Sequence, residues 1–153
     1  MVSARATAGA VLDPELRVVT IEELGILRDV AERDGRVTVT ITPTYSGCPA
    51  MDVIRADIAA ALHADGYADV RVDTTLAEPW TTDWITPAGR DKLAAAGIAP
   101  PSTRAAVTLT LTVRCPACGS PETEELSRFG ATACKSLWRC RACREPFERV
   151  KTI

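Results

Sequence analysis

An α+β fold in two parts is predicted by three observations. Two C-x-x-C pairs stand near the C-terminus, Asp34-Gly35 separates two alternating segments, and apolar residues recur at helical spacing from Pro49 to Asp65. The first part reads as a small α/β sandwich layer. The second reads as a four-cysteine antiparallel β ribbon. A chain of 153 residues, 46% hydrophobic and 25% charged, can bury one real core and a small satellite.

The elements follow from local punctuation. Met1 to Val11 is short and rich in small residues, and is expected to be a flexible N-terminus. Asp13-Pro14-Glu15 predicts a helix start, because Asp caps free backbone N–H groups and Pro is tolerated at the first helical position. Thr20-Ile21-Glu22-Glu23 is a capping-box pattern, closed by Gly25. Ile26 to Glu32 and Arg36 to Thr42 alternate around Asp34-Gly35, which predicts a hairpin. Met51, Ile54, Ile58 and Leu62 share one helical face, with Pro49 suited to the first turn and Gly66 to the C-cap. Val70 to Leu76 alternates as a strand, and Thr86 to Ala96 reads as a helix before Gly97. The stretch from Ile98 to Ala106, with its Pro-Pro pair, reads as a linker. Beyond it, Val107 to Val113 predicts a strand that delivers the chain to Cys115, and Thr123 to Phe129 with Ala133 to Arg139 predicts a hairpin. The expected division is a tail over 1–11, a first domain over 12–101 and a metal-binding segment over 102–153.

Composition excludes several classes. No run approaches the roughly 20 apolar residues of a membrane span. The net charge of −2 is spread unevenly, with a basic bias after residue 114 too weak to predict nucleic-acid binding. No apolar segment follows Met1 to Ala10, so a cytoplasmic chain with reduced thiols is expected.

Three groups of residues could carry chemistry. Cys115, Cys118, Cys140 and Cys143 have the spacing of a tetrahedral four-thiolate site. Each C-x-x-C sets two sulfurs on one knuckle, and the residues between the pairs suffice for a hairpin that joins the knuckles. Two disulfides are the alternative pairing, and they suit a secreted chain. Zn2+ is the expected metal, since closed four-thiolate zinc sites are structural; a single iron or an iron-sulfur cluster uses the same ligands. Cys134 is a further thiol, either packed in the hairpin or an alternative ligand.

The second group is the loop Thr42-Pro43-Thr44-Tyr45-Ser46-Gly47-Cys48-Pro49. A cysteine at a helix N-terminus can be held as a thiolate and so act as a nucleophile or soft-metal ligand; the plain alternative is a small packed residue. The third group, Glu78-Pro79-Trp80-Thr81-Thr82-Asp83-Trp84, offers helix caps, aromatic packing or a contact surface, with its carboxylates available as hard ligands for iron or as polar partners. A Cys48 nucleophile would need a base. The one histidine, His63, falls on the polar side of its helix. No Ser-His-Asp set, phosphate loop or dinucleotide fingerprint is present, so activity as an enzyme is not expected.

Asp13-Pro14-Glu15, Leu24-Gly25-Ile26, the Thr42-to-Pro49 loop and Leu76-to-Trp84 resemble the SufT-type iron-sulfur assembly domain. The ribbon adds Cys115-Pro116-Ala117-Cys118-Gly119, Phe129-Gly130-Ala131-Thr132-Ala133-Cys134-Lys135 and Cys140-x-x-Cys143-x-Glu145-Pro146-Phe147. Together, from about Leu12 to Ile153, the chain resembles the PaaD family of bacterial phenylacetate degradation. That resemblance implies a cytoplasmic accessory factor of the phenylacetyl-CoA epoxidase (ring 1,2-epoxidase) system, serving iron-sulfur or di-iron assembly. It implies a transient iron-sulfur cluster at Cys48, with Thr44, Asp13 and Glu15 as further cluster-handling residues. The expected partners are epoxidase subunits, other iron-sulfur client proteins or a second copy of the chain, met near Trp80, Trp84 and the Phe129 to Lys135 turn, which carries Cys134 and Lys135. A rubredoxin-like electron carrier and a structural subunit of the epoxidase complex are the alternative readings.

Overall fold

Asp34 and Gly35 both take positive φ (50° and 78°) and reverse the chain between β1 (Leu27–Arg33) and β2 (Arg36–Ile41), the expected hairpin. Two successive left-handed residues give a turn whose twist matches that of paired strands. The computed structural model describes residues 2–45, 47–102 and 112–152. Two compact units divide the chain, Met1–Gly89 and Arg90–Ile153.

In the first unit, α2 (Ala50–Ala64) buries Met51, Ile54, Ile58 and Leu62, the stripe read from the sequence. Gly66, at φ 96°, follows its C-terminus. The chain then returns as β3 (Asp69–Thr74), which pairs in parallel with β2 from Arg36 opposite Asp69 to Ile41 opposite Thr74. The sheet order is β1-β2-β3. Val37, Val39 and Ile41 of the central strand are fully buried. Each such side chain contributes roughly 1.5–3 kcal/mol on leaving water. A parallel pair with a helical crossover gathers several segments at one end of the sheet: the loop after β2, the start of α2, the loop after β3 and the beginning of β1. In open α/β sheets this carboxyl end is where ligands bind.

The N-terminus differs from the expected flexible tail. Ala4–Gly9 forms a short helix, α1, capped by Ser3, whose Oγ accepts from the Ala6 N–H at 3.2 Å. Ala4 and Ala8 are buried, and α1 packs against α2 and β1. Small residues that carried no periodic signal are what let the helix approach so closely. Asp13 does cap, its Oδ1 accepting from the N–H groups of Glu15 and Leu16 at 2.9 and 2.8 Å, but the result is one turn and not a helix. Arg17 at φ 50° ends the turn, and Leu12 pairs with Thr20, so the chain must reverse at once. The capping box forms as expected: the Thr20 N–H donates to Glu23 Oε2 at 2.9 Å and the Glu23 N–H to Thr20 Oγ1 at 3.1 Å.

Gly25 is required by its surroundings. Its φ is 75°, and a Cβ there would stand 2.6 Å from Trp84 Cβ. Gly25→Ala is expected to destabilise the first unit by about 2 kcal/mol or more, from left-handed strain plus displaced packing, read as a lowered thermal midpoint. An unchanged midpoint would mean that Trp84 does not pack there in solution. Trp84 itself ends a short 3-10 turn, Thr82–Trp84, capped by Thr81, and α3 (Pro87–Ala95) follows close to its expected span.

The second unit is a four-stranded sheet in the order β4-β7-β6-β5. The expected hairpin is β5 (Thr123–Ser127) with β6 (Lys135–Cys140). Two strands went unread in the sequence. β7 (Pro146–Val150) pairs antiparallel with β6, its proline tolerated at the first strand position. β4 (Ile98–Ala99) lies within the expected linker yet pairs in parallel with β7, and Ala99 is buried in the ribbon core with Val113, Cys115, Cys140 and Phe147. The division between units therefore falls ahead of the expected 101/102 boundary. Most of the expected Val107–Val113 strand lies outside the described residues.

Candidate functional site

The four ribbon cysteines come together at the ends of the strands. β6 ends in Cys140, which with Cys143 forms one knuckle. The other, Cys115 to Cys118, is closed by hydrogen bonds from the Gly119 N–H to the Cys115 carbonyl at 2.8 Å and from the Cys115 N–H to the Ser120 carbonyl at 3.0 Å. Each knuckle is followed by a left-handed residue, Gly119 at φ 76° and Arg144 at φ 66°. All four Sγ atoms lie within 4.8 Å of one another, with Cys115 to Cys143 at 3.7 Å and Cys118 to Cys140 at 3.6 Å. A tetrahedron of sulfurs about 2.3 Å from a zinc ion has edges of about 3.8 Å. These sulfurs are therefore set for a metal, and are far beyond the roughly 2.05 Å of a disulfide. Cys115 and Cys140 are buried, while Cys118 and Cys143 face outward.

The thiols do not share their charge evenly. The Cys143 N–H, 3.5 Å from Cys140 Sγ, helps to lower Cys140 to about 7. Although the Glu145 backbone N–H acts to lower Cys143, burial and the neighbouring sulfurs of Cys140, Cys118 and Cys115 push it up to about 12. Cys143 is thus protonated at neutral pH without metal, and its proton must leave as metal enters. Metal affinity is expected to rise with pH and to fall more steeply once Cys140 also protonates, below about pH 7. Competition against a chromophoric chelator between about pH 6 and pH 8 checks this, and an affinity independent of pH would contradict it.

Among the described residues, this quartet is the group of metal-binding side chains whose ligand atoms converge. Cys134 stands apart from it, half-buried, with Thr132 Oγ1 at 3.0 Å from its sulfur. Glu78 pairs instead with Arg28 at 3.4 Å. Beside the quartet, Glu124 bridges Arg139 and Arg141 across the strands, and its hydrogen bonds to those two guanidinium groups lower its pKa. A cleft of about 510 Å3 opens there, lined by Glu124, Arg139, Cys140, Arg141 and Arg144. These charged neighbours of the metal site could have been suspected only once the strand register was known.

In the first unit, Cys48 is a half-buried free thiol on the loop between β2 and α2. Pro49 takes the N-cap position of α2 without a side-chain cap, and the Cys48 carbonyl accepts from the Met51 N–H at 3.3 Å. Gly47, at φ 76°, turns the chain into Cys48. Thr42 is buried and Thr44 half-buried, while Ser46 lies outside the described residues. Asp13 is buried and caps its own turn; Glu15 is half-exposed beside it. His63 is exposed in the last turn of α2, so the length of a 15-residue helix, about 22 Å, separates it from the Cys48 end. It is no base for that thiol.

Two expected contact residues turn out to be structural. Trp80 is buried, its indole N–H donating to the Leu24 carbonyl at 2.8 Å, so it fastens the loop after β3 to the core. Lys135 is buried too, and its ammonium pairs with Glu148 at 3.4 Å. Trp84 is half-buried, with the Arg28 guanidinium 3.7 Å from its ring centroid. Sequence reasoning missed Arg28, whose ring partner lies far along the chain.

A family profile described as "Iron-sulfur cluster assembly protein" matches residues 5–74, and one described as "PaaD zinc beta ribbon domain" matches residues 99–151. The chain is 44% identical over 142 residues to an Escherichia coli K12 protein provisionally named as one of the subunits of 1,2-phenylacetyl-CoA epoxidase, covering 92% of this chain and 86% of that one. It is 36% identical over 77 residues to an Fe-S protein maturation auxiliary factor of Porphyromonas gingivalis W83, covering 49% of this chain and 72% of that one. A crystal structure of the domain of unknown function DUF59 from Bacillus anthracis superposes with a TM-score of 0.54 at 29% identity, over 59% of this chain and 87% of that chain. No helix among the described residues is long and apolar enough to cross a membrane.

Proposed function

This chain belongs to the PaaD family, joining an iron-sulfur cluster assembly domain to a zinc β ribbon, and on that premise we propose that it is a maturation factor with no turnover of its own. Its clients are the iron-sulfur or di-iron subunits of a phenylacetyl-CoA epoxidase, and it acts in the cytoplasm, where its thiols stay reduced. The observation that carries the reading is that four thiols of the second unit converge on one closed site, while Cys48 lies outside that group, on the first unit's loop at the carboxyl end of β2. A closed site is a folding device, and its four ligands would hold Zn2+ without leaving a position for substrate. A cluster bound through one thiolate per chain, with Thr44 beside it in the loop, is held weakly enough to be given away. The client or a second copy of the chain completes the ligand set. The names of the Escherichia coli and Porphyromonas gingivalis relatives support the pairing of epoxidase with iron-sulfur maturation.

The test is to produce the epoxidase subunits in cells with and without this chain, and to measure ring-epoxidising activity and the iron and sulfide content of the purified subunits. Subunits that accumulate but are iron-poor and inactive without the chain are the expected result. Fully loaded, active epoxidase made without it would contradict the maturation role.

A further inference from the structure

Resting on that maturation reading, we propose that the turn around Phe129 is the docking tip that seats an acidic surface of the client. The turn lies at the end of the ribbon opposite the metal. β6 runs six residues, about 20 Å, from the turn to Cys140. Phe129 is 71% exposed, the most exposed large hydrophobic side chain among the second unit's described residues. A lone exposed aromatic means little by itself. What distinguishes this one is how firmly its backbone is held.

The Phe129 N–H donates to Ser127 Oγ at 3.1 Å, and the Gly130 N–H donates to the Lys135 carbonyl at 2.8 Å. The Ala131 N–H donates to Glu148 Oε2 at 2.9 Å, while Oε1 of the same carboxylate meets the Lys135 ammonium. Lys151 completes the turn, its N–H donating to the Cys134 carbonyl and its ammonium to the Ala133 carbonyl, both at 2.9 Å. A Cβ at Gly130 would stand 2.5 Å from Glu148 Oε2 and 3.3 Å from the Lys135 carbonyl oxygen, so the carboxylate that ties the turn would have to move aside. A largely buried ion pair stabilises little on balance, so its use here points to geometry. The loop is ordered before any partner arrives, and a fixed aromatic loses little entropy on binding.

The surroundings give the partner its chemistry. A cleft of about 430 Å3 is lined by Phe129 together with Arg128, Arg149, Lys151, Ser136 and Glu125, leaving an excess of positive charge. The Lys151 ammonium lies 4.7 Å from the Phe129 ring centroid, which leaves it close to anything that packs on the ring. Carboxylates carried on apolar stems fit such a cleft. A second copy of the same tip would bring like charges together, which argues against self-association here. A membrane surface fits less well, since one phenyl ring and a carboxylate at Glu125 give little to insert.

The experiment uses the full zinc-loaded chain and purified epoxidase subunits, with affinity measured by calorimetry. Phe129→Ala is expected to weaken subunit binding by about thirtyfold, the scale of an interface anchor. Zinc content and thermal midpoint should stay as in the wild type. Lys151→Glu should weaken binding as well, and the wild-type affinity should fall with salt. Unchanged affinity for Phe129→Ala would overturn the docking tip and leave the maturation reading standing. The same holds if the wild type matures epoxidase in cells yet binds no subunit, or binds only phosphatidylserine vesicles. Failure of the maturation reading is seen separately, as active epoxidase in cells that lack the chain.

Discussion

Cys118→Ser is expected to unfold the ribbon while the first unit stays folded. The core of the second unit is small: Ala99, Val113, Cys115, Cys140 and Phe147, with Trp138 partly buried against it. Two of those five buried residues are themselves metal ligands, so much of the apolar interior exists only because the sulfurs are drawn together. Structural zinc supplies about 10–16 kcal/mol of apparent binding free energy to such segments, against the few kcal/mol that a core this small can yield. Replacing an outward-facing ligand removes no packing of its own, which is why Cys118 is the informative choice over buried Cys115. Hydrogen exchange should show amides of β5, β6 and β7 losing protection, with those of β1, β2 and α2 unchanged. A metal-free variant with a protected ribbon would contradict this.

The second large effect is expected at Cys48. Cys48→Ala removes a half-buried sulfur from a loop, so the cost in stability is small, about 1 kcal/mol. The effect on function is expected to be near complete: cells carrying only this variant should make epoxidase subunits with a small fraction of wild-type activity, while the purified variant keeps its ribbon metal. That combination separates a cluster ligand from a packing residue, which would lose stability and activity together. Wild-type epoxidase activity in those cells would remove Cys48 from the role.

Much of this architecture could be read from the chain because its signals are local. Asp34-Gly35 fixes a hairpin by backbone conformation alone, the Met51-Ile54-Ile58-Leu62 stripe needs only helical spacing, and two C-x-x-C knuckles announce a shared metal. The parts that escaped reading depend on partners distant in sequence. α1 is made of small residues whose value lies in close approach. β4 is two residues long and exists because β7 is there to pair with it. In the sequence Trp80 stands open between core packing and a contact surface, and Lys135 is one residue of a candidate docking turn, because spacing alone does not say which way either side chain faces. Both are instead committed inward, to the Leu24 carbonyl and to Glu148. The candidate site divides in the same way: the four ribbon ligands follow from spacing, whereas the arginines beside them and the Arg28 contact with Trp84 follow from cross-strand register and tertiary packing.

If a cluster passes from Cys48 to a client, its transfer can be followed in a defined mixture. Wild-type protein and Cys48→Ala are each loaded with iron and sulfide without oxygen, freed of excess reagent, and mixed with a metal-free epoxidase subunit. The two proteins are then separated, and the subunit is assayed for visible absorption, iron and activity. Cluster recovered on the subunit from the wild type, and none from Cys48→Ala although its ribbon metal is retained, is the expected result. Equal transfer from the two proteins, or a subunit loaded just as fast by free iron and sulfide, would contradict it.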